Sequence, residues 1–359
     1  KNTIYLNYSI PSNGLETNLK AKILSTESIL ATDQGLKMDF SRPMIEADSK
    51  NLYIFTPSGK ITNFLYDEAY GLINYKTQKL RFYSLHDMKS IDLKSLLSTG
   101  SESFNLPDIK ALHKGEIRFQ PFKLNNAISA KTKNFFIPTY QSHRIQFDKA
   151  NIFIVDLDLI HGSLPSIFMK KEMPITLLGT GLTKKYDLTF STNVNLNLSE
   201  FNINSSYLKV SGNDHFNIDL NIQKDSLPIL KINSDLQNIE LNSPLDLLSK
   251  NKLTSLPTET LVTNFSNPSI KVRNQKIDIH IRDLSKYDGY ISIGSKLPDQ
   301  YKSFNYDSGL NIYVNSQFID ENLLISMLPS EQETMSPKFN KLAFDIKNFK
   351  FFNNNFSNL

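Results

Sequence analysis

The chain has 359 residues, 40% hydrophobic and 21% charged, so it can bury a core and does not have the composition of a disordered protein. Its 40 Lys and Arg and 36 Asp and Glu residues are mixed along the chain. Nucleic-acid-binding proteins instead concentrate positive charge on one face, so we expect no nucleic-acid partner. The chain has no cysteine, which excludes disulfides, cysteine nucleophiles and cysteine-ligated zinc.

Membrane and targeting signals are missing from the sequence as given. No apolar run approaches the roughly 18 residues of a membrane-spanning helix. The chain starts at Lys1 without Met, so we interpret it as a processed piece of a longer protein whose targeting signals have been removed.

The N-terminal part, residues 1–110, is predicted to be β-rich with one helix. Strict alternation of apolar and polar residues, as in 79–84, is typical of half-buried strands. The stretch 84–100 has apolar residues near helical spacing, with Ser84 as a plausible N-cap and Gly100 as a plausible C-cap. We expect this helix to cover a sheet.

The longer part, residues 111–359, repeats the alternating pattern, most clearly in 191–203, 213–223, 275–284 and 309–318. Turn residues such as Ser211–Asp214 separate these stretches, and alternating βα units are not apparent, so we predict an antiparallel sheet.

Two further segments of this part are less regular. Residues 244–268 hold three prolines and are predicted to form a crossover, and residues 320–328 are predicted to form a short helix. We expect the two parts to form one continuous elongated body.

Enzyme signatures are weak. The six histidines never fall in a short metal-binding spacing. Asp156 and Asp158 would lie on one side of a strand. A carboxylate pair for acid–base catalysis or Ca²⁺ binding would have this arrangement, and so would the solvent-exposed face of an ordinary strand. We therefore predict a protein without catalytic activity, metal or cofactor.

The apolar sides of the strands need a cover. The default cover is a second sheet, as in a β-sandwich. The alternative is a wide sheet curled into an open trough whose apolar floor meets a non-protein partner such as lipid acyl chains. Periodicity alone leaves both open.

Several stretches resemble, in order, the YhdP-type proteins of the AsmA-like superfamily. They are ALHKGEIRFQPFKL from residue 111, YLKVSGNDHFNIDLNIQ from 207, LPILKINSDLQNIELNSPLDLLSK from 227, GYISIGSKLPDQ from 289 and DSGLNIYVNSQFIDENLLISML from 307. The chain departs from the family pattern at Asn238, at Asn242–Ser243 and at Leu323–Leu324.

This resemblance implies an all-β, elongated, twisted antiparallel sheet curled into an open hydrophobic groove, with a few short helices. It implies a segment of a periplasmic protein, anchored to the inner membrane of a Gram-negative bacterium, that conducts phospholipids between the inner and outer membranes. The anchor and the membrane contacts would lie in parts of the protein outside this chain. The groove floor would include Val194, Leu196, Leu198, Phe216, Ile218, Leu220, Ile222, Ile277, Ile279, Ile281, Leu310, Ile312 and Val314.

Three alternative interpretations remain. A non-enzymatic binding or adhesion module, built as a β-sandwich or solenoid, would have a closed core. An outer-membrane barrel would have strands of roughly 9–11 residues with aromatic girdles. A β-rich hydrolase would need a pair of catalytic groups.

Overall fold

The computed structural model describes the whole chain except residues 1–2, 10–17, 25–26, 32–36, 62–63, 89–108, 120, 139–143, 157, 182–185, 202–207, 244–246, 266, 321–338, 352–353 and 358–359. Strands hold 67% of the residues and helices 5%. The pairing is mostly antiparallel and the helices are short, which confirms the predicted fold class. The chain divides into two compact units, Lys1–Leu188 and Thr189–Leu359, here called unit 1 and unit 2.

Unit 1 is built from antiparallel hairpins. Its strands are β1 (Thr3–Ser9), β2 (Asn18–Leu24), β3 (Glu27–Ala31), β4 (Lys37–Ser41), β5 (Met44–Ala47), β6 (Asn51–Thr56), β7 (Ser58–Ile61), β8 (Phe64–Tyr66), β9 (Glu68–Asn74), β10 (Lys79–Met88), β11 (Ile109–Phe119), β12 (Phe122–Thr132), β13 (Phe135–Pro138), β14 (Arg144–Phe147), β15 (Asn151–Val155), β16 (Leu159–Leu164), β17 (Ser166–Phe168), β18 (Lys171–Glu172) and β19 (Ile175–Thr180). A further strand, β20 (Asp187–Asn197), contains the division between the units.

The main sheet of unit 1 pairs β1, β2, β5, β6, β9, β10, β11, β12, β15, β16 and β19 in that order, each with the next. Two smaller sheets pair β3, β4, β7 and β8, and β13, β14, β17 and β18. One face of the main sheet carries the core, with Leu80, Ile117, Ile160 and Leu177 all buried. Along each strand these residues alternate with residues whose side chains lie on the other face. That face carries the candidate site of unit 1.

Unit 2 continues with β21 (Lys209–Gln223), β22 (Ile229–Ser234), β23 (Ile239–Asn242), β24 (Thr258–Thr263), β25 (Ser269–Arg273), β26 (Ile277–Asp283), β27 (Asp288–Ile293), β28 (Leu310–Asp320), β29 (Phe339–Phe351) and β30 (Asn354–Ser357). Two 3₁₀-helices, Leu198–Phe201 and Asp299–Asn305, complete the described elements. Antiparallel pairs join β21, β22, β24, β25, β26 and β27 in that order. The pairs β27–β28 and β28–β29 are parallel, which the antiparallel prediction missed.

The helix predicted over 84–100 is wrong in its first residues. Ser84 to Met88 belong to β10 and pair with β11, and Ser84 and Leu85 pair with β9 as well. Residues 89–100 lie outside the described part. The division between the units lies at 188/189. Residue 110 lies inside β11, which pairs with β10 on one side and β12 on the other.

The predicted crossover over 244–268 is only partly correct, since Thr258–Thr263 form β24 between β22 and β25. The predicted helix over 320–328 starts with Asp320, the last residue of β28, and otherwise lies outside the described residues.

Candidate functional site

The strand registers of unit 2 carry apolar side chains across the sheet in continuous rows. The longest row crosses β21, β22 and β24 to β29, with one hydroxyl among aliphatic residues: Ile218, Ile232, Thr260, Val272, Ile279, Ile291, Ile312 and Leu342. Two shorter rows flank it, Leu220, Leu230, Val262, Ile270 and Ile281 on one side, and Ile277, Ile293, Val314 and Phe344 on the other. We call these three rows the unit 2 apolar face.

Side-chain hydrogen bonds place β20 beside β21 with the same division of faces. Thr189 bonds Asn221 at 2.8 Å, Ser191 bonds Asp219 at 2.6 Å, and Asn193 bonds Asn217 at 2.6 Å. Because neighbouring side chains along a strand point to opposite faces, the residues between these polar pairs lie on the apolar side. They are Phe190, Thr192, Val194, Leu196, Phe216, Ile218, Leu220 and Ile222, all apolar except Thr192.

The predicted floor residues therefore share one face, but their exposure differs. Leu196, Ile218, Leu220, Ile222, Ile277, Ile279 and Ile312 are half-buried. Val194, Phe216, Ile281, Leu310 and Val314 are buried. Leu198 is the first residue of a 3₁₀-helix rather than part of a strand.

The C-terminal end of the unit 2 apolar face is covered by the protein itself. Val314 is fully buried in a cluster with Ile293 and Ile346, and Leu247 and Leu248 pack against this cluster. At this end the floor is an ordinary hydrophobic core, which the periodicity of the strands could not distinguish from an open surface.

The opposite face of unit 2 is polar and is partly closed by the helix Asp299–Asn305. Phe304 from this helix packs with Tyr290 and Tyr313 of the sheet. Asp278 accepts hydrogen bonds from Arg273 at 3.1 Å and from the Tyr290 hydroxyl at 3.2 Å. These bonds satisfy a buried carboxylate, so the cluster is structural.

Unit 1 holds an open cavity of about 1340 Å³ on the face opposite its core. Its walls come from β5, β6, β9, β10, β11, β12 and the end of β15, and include Phe55, Leu72, Leu112 and Val155. Pockets of roughly 300–1,000 Å³ hold drug-sized ligands, so this cavity has room for a larger apolar molecule. We call it the unit 1 cavity.

Aromatic rings form one wall of the unit 1 cavity. Tyr70 stacks on Tyr83 with ring centroids 4.6 Å apart, and Phe55 lies 4.8 Å from Tyr70. The three residues belong to one cross-strand row on β6, β9 and β10. The alternation of apolar and polar residues over the short hairpins of this region did not identify these three residues. The signal that could have found them is the recurrence of aromatic residues on successive hairpins.

Charged residues lie at one edge of the unit 1 cavity. Glu116 forms ion pairs with Lys79 at 2.9 Å, Arg81 at 3.2 Å and Arg118 at 3.5 Å. The hydrogen bonds from Lys79 and Arg81 are the main reason that the pKa of Glu116 is lowered to about 2. Glu116 therefore stays ionised at any physiological pH and neutralises one of these cations.

Exposed apolar side chains continue from the unit 1 cavity toward β19 on the same face. Large hydrophobic side chains are exposed to solvent at five positions: Leu85, Phe153, Val155, Leu159 and Leu178. Leu85 lies across from Leu112, Val155 from Leu159, and Leu178 from His161 in the strand registers. We call these five residues the unit 1 apolar stripe.

On the core side of unit 1, His113 of β11 meets Ser84 and His86, which are close together in sequence on β10. Ser84 Oγ lies 2.8 Å from His86 Nε2, and the His86 and His113 rings are 6.2 Å apart. Burial, and secondarily the charge of His86, lowers the pKa of His113 to about 4. Ser84 is completely buried, so this group has no access to a substrate as it stands.

The remaining polar candidates do not assemble a site. Asp156 and Asp158 lie in the turn after β15 rather than along a strand, and they accept backbone N–H bonds from Asn126 and Gly181, each at 2.8 Å. Within the described ranges, no group of His, Asp and Glu could hold a metal ion. The two carboxylates therefore bind different backbone segments, Asp156 at β12 and Asp158 after β19, and do not form a pair.

No protein-family model, no curated protein and no solved structure matches this chain. Among the residues that the structure describes, no helix combines the length and apolarity needed to cross a membrane.

Proposed function

We propose that this chain is a segment of a lipid-transfer protein whose apolar sheet face conducts phospholipid, without catalysis, between the inner and outer membranes of a Gram-negative bacterium. The protein would work in the periplasm, with its inner-membrane anchor and its membrane contacts outside this chain, and would support outer-membrane integrity. The resemblance to YhdP-type proteins of the AsmA-like superfamily supports this proposal.

The observation that carries the proposal is the continuity of the long row in the unit 2 apolar face. Ile291 and Ile312 pack against the covered cluster at the C-terminal end, so the part of the row ahead of it runs from Ile218 to Ile279. At about 4.8 Å per strand, this part has a contour of about 19 Å. One leaflet is about half of the roughly 30 Å hydrocarbon core of a bilayer, so this part of the row exceeds the length over which acyl chains lie in a membrane.

The free energy of such a surface suits transfer rather than storage. Removing an acyl chain from water is worth about 0.8 kcal/mol for each methylene. Aliphatic residues of similar size on all strands of the row except β24, which contributes Thr260, make this gain nearly uniform along the row. A lipid would then move without being trapped in a single deep pocket.

Unit 1 supports the same function independently. Its cavity and the unit 1 apolar stripe expose large hydrophobic side chains such as Leu159, which is 56% exposed. Soluble proteins rarely expose contiguous apolar patches of this kind unless they bind something.

The first test is mass spectrometry of solvent extracts from the chain purified without detergent. We expect near-stoichiometric phospholipid. A stable, lipid-free protein would contradict the proposal and would favour the β-sandwich or solenoid binding module instead.

A matched pair of variants tests the unit 2 apolar face. Ile218→Lys places a charge in the long row, whereas Asn217→Lys places it on the opposite, exposed face of the same strand. We expect Ile218→Lys to reduce phospholipid transfer between vesicles at least about tenfold, because an ammonium group on the acyl path must be desolvated. Asn217→Lys should transfer lipid at the unaltered rate.

Circular dichroism and protease resistance separate this effect from misfolding. If Ile218→Lys unfolds the chain, the residue is core and the surface at that position is not a lipid path. If the variant folds and still transfers lipid normally, the row does not carry the lipid.

A further inference from the structure

A row of cations borders the unit 1 cavity. In the strand registers Lys79 lies across from Arg118, and Arg118 lies across from Lys123. The neighbouring row on the same face holds Arg81 and Glu116, both of which line the cavity. We call Lys79, Arg81, Arg118 and Lys123 the basic rim.

The basic rim carries more positive charge than its own surroundings neutralise. Among the residues that the structure describes, its four cations face one carboxylate, Glu116, which leaves a local net charge of +3. Like charges directly across from each other weaken a sheet, so the Lys79–Arg118–Lys123 arrangement lowers stability unless an anion compensates for it.

The other charged groups of the cavity do not supply that anion. Glu46 is paired with Lys22 at 3.0 Å. Asp156 accepts the backbone N–H of Asn126, which does not neutralise a carboxylate, but the exposed cation Lys114 also lines the cavity and offsets its charge.

Apolar surface begins immediately beside the rim. Arg81 is two residues from Tyr83 along β10, and Glu116 is four residues from Leu112 along β11, on the same face. A molecule that satisfies both surfaces must carry an anionic group and a bulky apolar part next to each other.

We propose that the unit 1 cavity binds an anionic phospholipid, with its phosphodiester head group on the basic rim and its acyl chains against Phe55, Leu72 and Leu112. This inference rests on the proposed lipid-transfer function and adds to it a preference for a net negative head group. The guanidinium groups of Arg81 and Arg118 suit a phosphate because their planar donors can bond two of its oxygens.

The test is isothermal titration calorimetry of the whole chain, stripped of lipid, with three probes. Dioctanoyl-phosphatidylglycerol is anionic, dioctanoyl-phosphatidylcholine has the same chains and a zwitterionic head group, and inorganic phosphate has no chains. We expect phosphatidylglycerol to bind at least about fivefold more tightly than phosphatidylcholine, and inorganic phosphate to bind far more weakly than either.

The informative variant is the double change Arg118→Gln and Lys123→Gln. It leaves the two closest ion pairs of Glu116, those with Lys79 and Arg81, in place. We expect it to lose the preference for phosphatidylglycerol while binding phosphatidylcholine as before. The matched control is Lys149→Gln with Lys170→Gln, which removes two exposed cations from turns away from the cavity and should keep the preference.

A measurement on the unaltered chain tests the same preference without depending on whether a variant folds. Because the rim is exposed, its attraction for an anion is screened by salt. The preference for phosphatidylglycerol should therefore shrink steadily as sodium chloride is raised, whereas phosphatidylcholine binding should hold or strengthen.

Each contrary result overturns the inference in a recognisable way. Equal affinity for the two lipids removes the head-group preference but leaves lipid transfer standing. Tight binding of inorganic phosphate, with no gain from the acyl chains, makes the rim a free-phosphate site. Failure of both lipids to bind, together with lipid-free extracts of the purified chain, overturns the lipid-transfer function as well.

Discussion

His113 shows how a single position depends on residues distant in sequence. It lies across from Ser84 in β10 and Ile128 in β12. The Phe82 ring packs edge-on against it at 5.1 Å, and the His86 ring lies 6.2 Å away. Within the described structure, His113 Nε2 is buried without a hydrogen-bond partner, so the site accepts a neutral ring far better than a charged one.

Acid should therefore destabilise the protein through His113. The folded pKa of about 4 lies below the ordinary 6.5, so the unfolded state binds the proton more readily. The stabilising contribution is complete above pH 6.5 and is lost as pH falls from 6.5 toward 4, by at most about 3 kcal/mol. Urea unfolding at a series of pH values should show this decline.

The variant His113→Gln should flatten that decline, because glutamine does not titrate. The exposed His161 of β16 is the matched control, and His161→Gln should leave the pH dependence as it is. An unchanged pH profile in His113→Gln would mean that other groups cause the acid sensitivity.

At the scale of the element, Phe82 of β10 depends on glycine in both neighbouring strands. It lies across from Gly71 in β9 and from Gly115 in β11. A Cβ at Gly115 would lie 2.4 Å from Phe82 Cζ and 3.1 Å from the Asn125 carbonyl oxygen. The nearest atoms to a Cβ at Gly71 would be the Leu80 methyl at 3.3 Å and Ile54 at 3.6 Å. The ring therefore leans over β11.

This asymmetry predicts unequal costs for the same substitution. Gly115→Ala should lower the free energy of unfolding by about 1–3 kcal/mol, as overpacking does, whereas Gly71→Ala should cost clearly less. Chemical denaturation of both variants measures the difference. A double variant with Phe82→Leu should recover part of the Gly115→Ala loss, and equal losses for the two glycines would contradict the packing described.

The long strand β21 explains one wrong prediction at this scale. Ser211–Asp214 was predicted as a turn, yet these residues lie inside a strand of 15 residues. Gly212 adopts φ +114, and its Cβ would lie 2.2 Å from the Asn238 carbonyl oxygen. Glycine is needed here because β21 changes partner, from β23 over Lys209–Gly212 to β22 over Asn217–Asn221.

At the scale of the molecule, the apolar surface that faces solvent determines behaviour in solution. The unit 1 apolar stripe exposes between 44% and 56% of each of its five residues. Contiguous patches of this kind promote association when their ligand is removed. The chain stripped of lipid should therefore self-associate, and added phospholipid should reverse the association.

Size-exclusion chromatography with light scattering measures this behaviour. The double variant Leu159→Lys and Leu178→Lys should remain monomeric without lipid, because both side chains are already more than half exposed and a lysine there stays solvated. A lipid-free wild-type chain that stays monomeric would show that the stripe does not drive association.

The polar–apolar alternation of the strands was enough to predict the fold class and the shared face of Ile218, Ile279 and Ile312. Side chains alternate along any strand, so their division between two faces follows once the strand is assigned. The same reasoning failed for Ser84–Met88, because near-helical spacing of apolar residues in a short stretch is compatible with a strand that is buried by its neighbours.

What the sequence by itself determined is local: the strands, their apolar side, and the absence of cysteine chemistry. Tertiary structure decided which apolar surfaces are open. Val314 is closed by Leu247 and Leu248, while Leu159 and Leu178 are left in solvent. It also brought Lys79, Arg118 and Lys123 together, because strand register rather than distance along the chain determines which side chains are neighbours in a sheet.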